Sequence, residues 1–258
     1  MEVELFRQTV ANKPKTYDSI FKPTDPQGNS WFAHHYTMTA EDEVMLTIEI
    51  FSDVICPWCH IGKRRLDQVL NSDIGEGVSV RWRPFQLYPN VPIEGRDRAE
   101  FVRRRYGPEA DPGRVPRRID EEARQEGLTF NYRAIEKLPN TLLAHRLLEF
   151  AEAQGVAHEL AEVLFAGYFC NGEDLGDLIT LTRLAAGVGL DAAGVEAALT
   201  SNFAADEVAM QLQRATEVGV SGVPGYLLGG GFLLPGAQRV DTMQQIIARA
   251  KVRLGQND

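Results

Sequence analysis

The feature that most constrains this chain is the run Phe51-Ser-Asp-Val-Ile-Cys-Pro-Trp-Cys-His60, in which two cysteines stand three positions apart where one hydrophobic periodicity gives way to another. Upstream, Leu46, Ile48 and Ile50 alternate with Thr47, Glu49 and Phe51, which predicts a strand whose faces are buried unequally. Downstream, Cys59, Gly62, Leu66 and Val69/Leu70 recur at helical spacing. Pro57 suits the first helical position, because the amide it lacks would have no partner there. Asn71-Ser-Asp73 and Gly75 end that helix. Val78, Val80 and Trp82 then alternate with Ser79, Arg81 and Arg83 as far as Pro84, a second strand. The unit is strand, helix, strand, and Cys56 is the last residue before the helix.

That placement suits thiol-disulfide exchange, which needs an attacking thiolate, a second thiol to resolve the mixed disulfide, and a local field that stabilises negative charge. Unpaired amides and the helix dipole favour an anion at a helix start, so Cys56 is the expected attacking thiol. Cys59, facing Leu66 and shielded from solvent, fits the resolving role. His60 adjoins it, and an imidazole turned toward the thiols would favour the thiolate further. Two other readings attach to such a pair. It can form half of a zinc site, but four ligands are needed, and only Cys170 and scattered histidines remain. It can also be inert packing, since free cysteine is often buried. The strand before and the helix after favour redox chemistry.

The rest of the chain frames this unit. Residues 1–44 carry Pro14, Pro23, Pro26 and the turn-rich stretch Asp25-Pro-Gln-Gly-Asn-Ser30, and read as an extension without sustained periodicity. The first half of the core is expected over 45–95. From 96 to 218 helical patterns replace strand signals: Pro139-Asn-Thr141 caps a segment running to Gly155, Asp177 and Asp191 open two more, and a fourth places Val208, Leu212, Ala215 and Gly219 on one side. Over 219–258, Tyr226-Leu-Leu228 and Phe232-Leu-Leu234 flank Gly229-Gly-Gly231 as a hairpin, and a closing helix runs from Asp241 to about Arg253. A phosphate loop is the competing reading of the glycine triplet, but no Lys-Ser/Thr follows it.

Charge and cysteine count narrow the function. Acidic residues outnumber basic ones 36 to 27, for a formal charge of -9, which disfavours nucleic acid and anionic membrane surfaces as partners. No run approaches the roughly 18 apolar residues needed to span a bilayer, and Met1 to Val10 offers no apolar signal core, so a cytoplasmic protein is expected. Three cysteines in 258 residues do not describe a disulfide-stapled secreted scaffold.

Three separated blocks, Phe51-Ser-Asp-Val-Ile-Cys-Pro-Trp-Cys-His-Ile-Gly62, Pro139-Asn-Thr-Leu-Leu-Ala-His-Arg-Leu147 and Gly219-Val-Ser-Gly-Val-Pro224, resemble the DsbA family of thioredoxin-like proteins. The likeness is to the FrnE-like branch, which also resembles the 2-hydroxychromene-2-carboxylate isomerases. It covers residues 46 to about 253 and implies an α/β chain: a thioredoxin fold carrying a large helical insertion. It further implies a dithiol-disulfide oxidoreductase or disulfide isomerase acting on protein or small thiol and disulfide substrates, with Pro57 and Trp58 beside the reactive pair. A cis proline is implied at Pro224, with the Val223 backbone holding an extended substrate. The isomerase branch commonly has serine where this chain has Cys56, which argues against isomerase activity; the alternatives to disulfide exchange are a glutathione-dependent isomerase or transferase acting on a small aromatic molecule in the same cleft, and a non-catalytic redox-sensing or metal-binding module. By the same resemblance Asn140, Thr141 and His145 face the cleft and shape access or bind glutathione; the plainer reading is a helix cap and a partly buried histidine. No tightly bound cofactor or metal is expected, and glutathione is the candidate co-substrate. Cys170 departs from any paired arrangement and reads as a packed residue. The oligomeric state stays open, a homodimer being one arrangement available to it.

Overall fold

The computed structural model describes residues 46–255, so the extension expected at 1–44 lies outside the described residues. In chain order, β1 (Leu46–Ser52) leads into α1 (Pro57–Leu70) and β2 (Val78–Pro84). A short strand β3 (Arg96–Asp97) precedes α2 (Arg98–Tyr106) and α3 (Arg117–Gln125). After β4 (Lys137–Leu138) come α4 (Leu142–Glu152), α5 (Ala157–Asn171), α6 (Leu178–Ala186), α7 (Ala192–Thr200) and α8 (Ala205–Glu217). The chain returns as β5 (Gly225–Leu228), β6 (Phe232–Pro235) and α9 (Val240–Gly255).

Four strands form one sheet in the order β2-β1-β5-β6. β1 and β2 are parallel, Ile48 opposite Val80 and Ile50 opposite Trp82, because α1 is the crossover between them. β5 pairs antiparallel with β1 and with β6, the latter through the Gly229-Gly-Gly231 turn, where Gly229 and Gly230 take φ of 54° and 73°. This is the thioredoxin arrangement, with the helices α2 to α8 inserted between β2 and β5. The insertion departs from expectation in one respect: it contains a two-stranded ribbon, β3 with β4, pairing Arg96 with Leu138 and Asp97 with Lys137. Strands of two residues are too short to leave a periodic trace.

Both faces of β1 are covered, whereas the alternation predicts unequal burial. Leu46, Ile48 and Ile50 join Leu66 and Val69 of α1 and Met243 and Ile247 of α9 in the main core. On the other side Phe51 packs with Ala215 of α8, Val220 and Leu227. Glu49, on that second face, is only 9% exposed. It accepts from Arg83 Nε at 2.7 Å and from both terminal nitrogens of Arg214 at 2.7 and 2.6 Å. Burial pushes the Glu49 carboxyl up, but the two guanidiniums outweigh it and hold the group below its ordinary range. A fork of arginines thus lets a charged residue sit under α8.

α1 carries cations that are buried as thoroughly as its leucines. Lys63 and Arg65 are each 4% exposed and His60 is fully buried. Arg65 donates from Nε to Glu126 at 2.7 Å, from Nη2 to Glu122 of α3, and from Nη1 to the Ala237 carbonyl at 2.9 Å. Lys63 meets Asp67 at 2.8 Å and Glu162 of α5 at 3.3 Å. The inserted helices are therefore fixed to α1 by ion pairs as well as by apolar contact.

The opposite side of α1 lies against β5. A Cβ added at Gly62 would stand 2.3 Å from Tyr226 Oη and 3.1 Å from Pro224 Cγ. Tyr226 is 2% exposed and cannot swing away. Gly62→Ala is expected to destabilise the protein by about 1–3 kcal/mol in urea unfolding, despite the better helix propensity of alanine. In a Tyr226→Phe background, where the obstructing oxygen is gone, the same substitution should cost clearly less.

Candidate active site

Cys56 is the N-cap of α1, with extended backbone (φ -95°, ψ 113°), and Pro57 follows at the helix start as its φ restriction favours. The turn before it is closed by the Cys56 amide donating to the Asp53 carbonyl at 2.9 Å. Cys56 Sγ donates to the Val223 carbonyl at 3.6 Å, across 167 positions of sequence. The Val223-Pro224 peptide is cis. The structure thus brings Cys56, Cys59, Pro57, Trp58, Val223 and Pro224 into one place. Cys56 is 3% exposed, Cys59 is 1% exposed, and all three cysteines are free thiols.

The surroundings of the cysteines differ. Burial holds the Cys59 thiol well above its ordinary range, Cys56 beside it pushes in the same direction, and the Ser52 hydroxyl opposes both more weakly. Cys59 therefore stays protonated at neutral pH. Cys170, near the end of α5, is half-buried; burial and then Glu162 raise its thiol. It sits in no disulfide, as a packed residue would.

His60 does not turn toward the thiols. Its ring is fully buried, stacks on Phe165 at 5.1 Å and Phe130 at 5.7 Å, and offers Nε2 to Glu162 at 3.1 Å. Burial depresses its imidazole although Glu162 opposes the shift. Its role is to seat α5 on α1, and direct contact with a substrate is closed to it. Asn140, Thr141 and His145 also depart from the cleft-facing reading, being 8%, 2% and 2% exposed. Asn140 accepts the Leu142 amide at 3.0 Å, opening α4, and donates to the Val91 carbonyl at 2.7 Å. The cap and the buried histidine are what the structure contains.

His145 nevertheless bears on the site through Asp53, a residue the sequence reading passed over although it lies inside the motif. Asp53 is fully buried, accepts the Leu87 amide at 2.7 Å through Oδ2, and has Oδ1 3.8 Å from His145 Nε2. His145 Nε2 also meets the Phe85 carbonyl at 3.0 Å, and since a carbonyl only accepts, this nitrogen carries the proton. Burial raises the Asp53 carboxyl to about 7, against the Leu87 amide, and lowers His145 to about 4, against the Phe85 carbonyl. The turn that carries Cys56 is thereby tied to the segment after β2 and to α4.

Beside this turn lies a cleft of about 550 Å³, reached by Ile55 and Pro57 from the motif and walled by Tyr88, Phe101, Tyr132 and Phe169. Arg118 of α3 stands 5.3 Å from the centre of the half-buried Trp58 ring, closing the tip of the motif. Among the described residues no group of three or more His, Cys, Asp or Glu side chains is arranged to hold a metal ion. No helix among them is long and apolar enough to cross a membrane.

Opposite shifts at Asp53 and His145 make opposite contributions to stability. Folded Asp53 keeps its proton up to about 7 whereas the unfolded carboxyl loses it near 3.8, so its contribution falls as pH rises through that interval. Folded His145 stays neutral down to about 4 whereas the unfolded imidazole protonates below 6.5, so its contribution rises with pH. Relative to the parent protein, Asp53→Asn should make stability climb more steeply between those limits, and His145→Gln less steeply, each by on the order of 3–4 kcal/mol across the interval. Urea unfolding across pH measures both slopes, and the reversed signs would contradict the assignment.

Comparison with known proteins agrees with this geometry. The family model for the DsbA-like thioredoxin domain matches residues 47–248. The protein YwbO of Bacillus subtilis (strain 168) is 28% identical over 209 residues, which cover 78% of this chain and 95% of YwbO. The crystal structure of a probable DsbA oxidoreductase from Streptomyces coelicolor is 29% identical, covers 80% of this chain and 89% of its own, and superposes with a TM-score of 0.69. The cytosolic disulfide reductase DsbM from Pseudomonas aeruginosa, solved with GSH, shares the fold at 15% identity and a TM-score of 0.56, over 82% of this chain and 98% of that one. With the cysteine pair at the head of α1, the cis proline opposite it and the helices inserted between β2 and β5, the chain belongs to the family of DsbA-like thioredoxin domains, whose members are generally oxidoreductases.

Proposed function

We propose that this protein is an enzyme that exchanges disulfides through Cys56 and Cys59. The observation that carries the reading is the position of Cys56: at the N-cap of α1, behind Pro57, with its sulfur held by the Val223 carbonyl and a second free thiol one helical turn on. In reduction, the Cys56 thiolate attacks one sulfur of a substrate disulfide, the substrate bond breaks, and the departing sulfur takes up a proton. Cys59 then attacks the Cys56 sulfur of the mixed disulfide, passes its proton to the second departing thiolate, and leaves the Cys56-Cys59 disulfide. Oxidation of a substrate dithiol is the same sequence reversed.

The helix start supports Cys56 as the attacking thiol, since unpaired amides and the dipole there favour developing negative charge. The raised Cys59 thiol supports the order of events, because it enters only after the first exchange has placed a disulfide against it. Protein disulfides and small thiols are both admissible substrates, and glutathione is the co-substrate that would restore the reduced pair. A cytoplasmic setting accords with three free thiols in a chain of 258 residues.

Two measurements test this. Limited alkylation near neutral pH, mapped by mass spectrometry, should modify Cys56 before Cys59 and Cys170, whose thiols are both held up. Cys59→Ser should accumulate a mixed disulfide with a supplied disulfide substrate on non-reducing gels, while Cys56→Ser accumulates none, because the first deletes the resolving thiol and the second the attacking one. Equal trapping by both variants would refute the division of roles.

A further inference from the structure

We infer that the cleft beside Cys56 binds the arm of a low-molecular-weight disulfide that becomes bonded to Cys56, and that the arm it selects is an uncharged aromatic ring. The inference rests on the disulfide-exchange reading and adds to it the substrate class. Cys56 is 3% exposed, so its sulfur is approached through local openings and not across a flat surface. The residues on either side of it in sequence, Ile55 and Pro57, both line the cleft. A volume of about 550 Å³ lies within the range of roughly 300–1,000 Å³ that small-molecule sites occupy.

The walls specify the chemistry. Tyr88 and Phe101 meet edge to face, ring centres 4.8 Å apart at 69°, which leaves a fixed aromatic corner. Tyr132 is backed by the Arg98 guanidinium 4.7 Å from its ring centre. Arg98, only 9% exposed, donates from Nη1 to the Pro112 and Tyr132 carbonyls at 2.5 and 3.4 Å, so it is held behind the Tyr132 ring as a brace for the wall. The other charged residues at the cleft are Glu109, Asp111, Arg114 and Arg117, two of each sign, so neither sign of ligand charge is favoured by them. What the cleft offers is rigid aromatic surface, and a flat apolar ring exploits it best.

The reaction balances without any group foreign to it. The Cys56 thiolate breaks the disulfide R-S-S-R, one R-S⁻ leaves and is protonated, and the other stays bonded to Cys56 with its ring in the cleft. Cys59 displaces that second arm as R-SH, its own proton going to the leaving sulfur. Two electrons pass from the protein dithiol to the small disulfide, and an external thiol reductant such as glutathione regenerates the pair.

Single-turnover kinetics of the full-length reduced protein test the inference with two neutral probes: dithiodipyridine, whose arms are rings, and hydroxyethyl disulfide, whose arms are not. The rate with dithiodipyridine should saturate with concentration, and Phe101→Ala should raise the half-saturating concentration about tenfold. The second-order rate constant for hydroxyethyl disulfide should be unchanged by that substitution, which also shows that the variant is folded. Phe101→Leu, keeping bulk without the ring, should behave as Phe101→Ala does. Each probe is compared only with itself across variants, so their different intrinsic reactivities cancel. A rate linear in dithiodipyridine, or equal losses with both probes, overturns the inference and leaves disulfide exchange standing. Failure of the parent protein to react with either probe overturns the exchange reading, and this inference with it.

Discussion

The architecture depends on the cations of α1 being neutralised away from water. A lysine or arginine nearly removed from solvent is tolerated only when its hydrogen bonds are met by anions or carbonyls, and removing one partner of such a pair leaves a charge stranded. Arg65 takes Glu122 of α3, Glu126 just past its end and a carbonyl from the segment after β6; Lys63 takes Glu162 of α5, which also hydrogen-bonds the buried His60 ring. These bonds determine where the inserted helices stand, and hence where the cleft and the Trp58 cover stand relative to Cys56. The site is assembled from residues 53–59, the stretch after β2, His145 of α4 and the turn at Val223-Pro224, which no local interaction could hold together.

Around the thiols, environment separates groups that the sequence presents as similar. Cys56 and Cys59 are both buried cysteines of one helical turn, yet one has its sulfur on a carbonyl at a helix start and the other lies within the apolar interior beside Ser52. Asp53 and His145 form a comparable contrast. In water a carboxylate and a neutral imidazole would coexist near pH 7, whereas here burial shifts both groups toward the uncharged form. The turn carrying Cys56 is therefore supported from beneath by a pair that adds little charge to the site.

Much of the scaffold could be read from the chain because the signals are local. The alternation at Leu46, Ile48 and Ile50, the caps at Asp177 and Asp191, and the glycine triplet between apolar triplets each encode their own element, and each element lies where expected. α2 and α3 left weaker traces. Ala123 is the one buried residue of α3, whose remaining positions are mostly charged, so its hydrophobic pattern hardly registers. α2 does carry a start signal, Asp97 accepting the Glu100 amide at 2.6 Å, but only Arg98 of the helix is buried and no apolar stripe follows. The direction of His60 and the burial of Asn140, Thr141 and His145 depended on packing partners many positions away, which composition and spacing do not reveal. Asp53 was missed for the same reason: among its contacts, those at Leu87, Thr141 and His145 come from segments that meet only in the finished fold.

The pairing of β1 with β5 has a consequence for how the molecule comes into being. Glu49 lies opposite Leu227, so one edge of the central strand cannot be completed until nearly the whole chain has left the ribosome. Closing so long a loop costs only modestly more entropy than closing a short one, but the unpaired edge of β1 is exposed for as long as synthesis of the intervening segment lasts. At about 5–20 residues per second, that interval is on the order of ten seconds or more. Arg214, on the last helix before β5, is synthesised just ahead of the strand that closes this edge, and in the folded protein its bonds to Glu49 hold α8 over one face of β1.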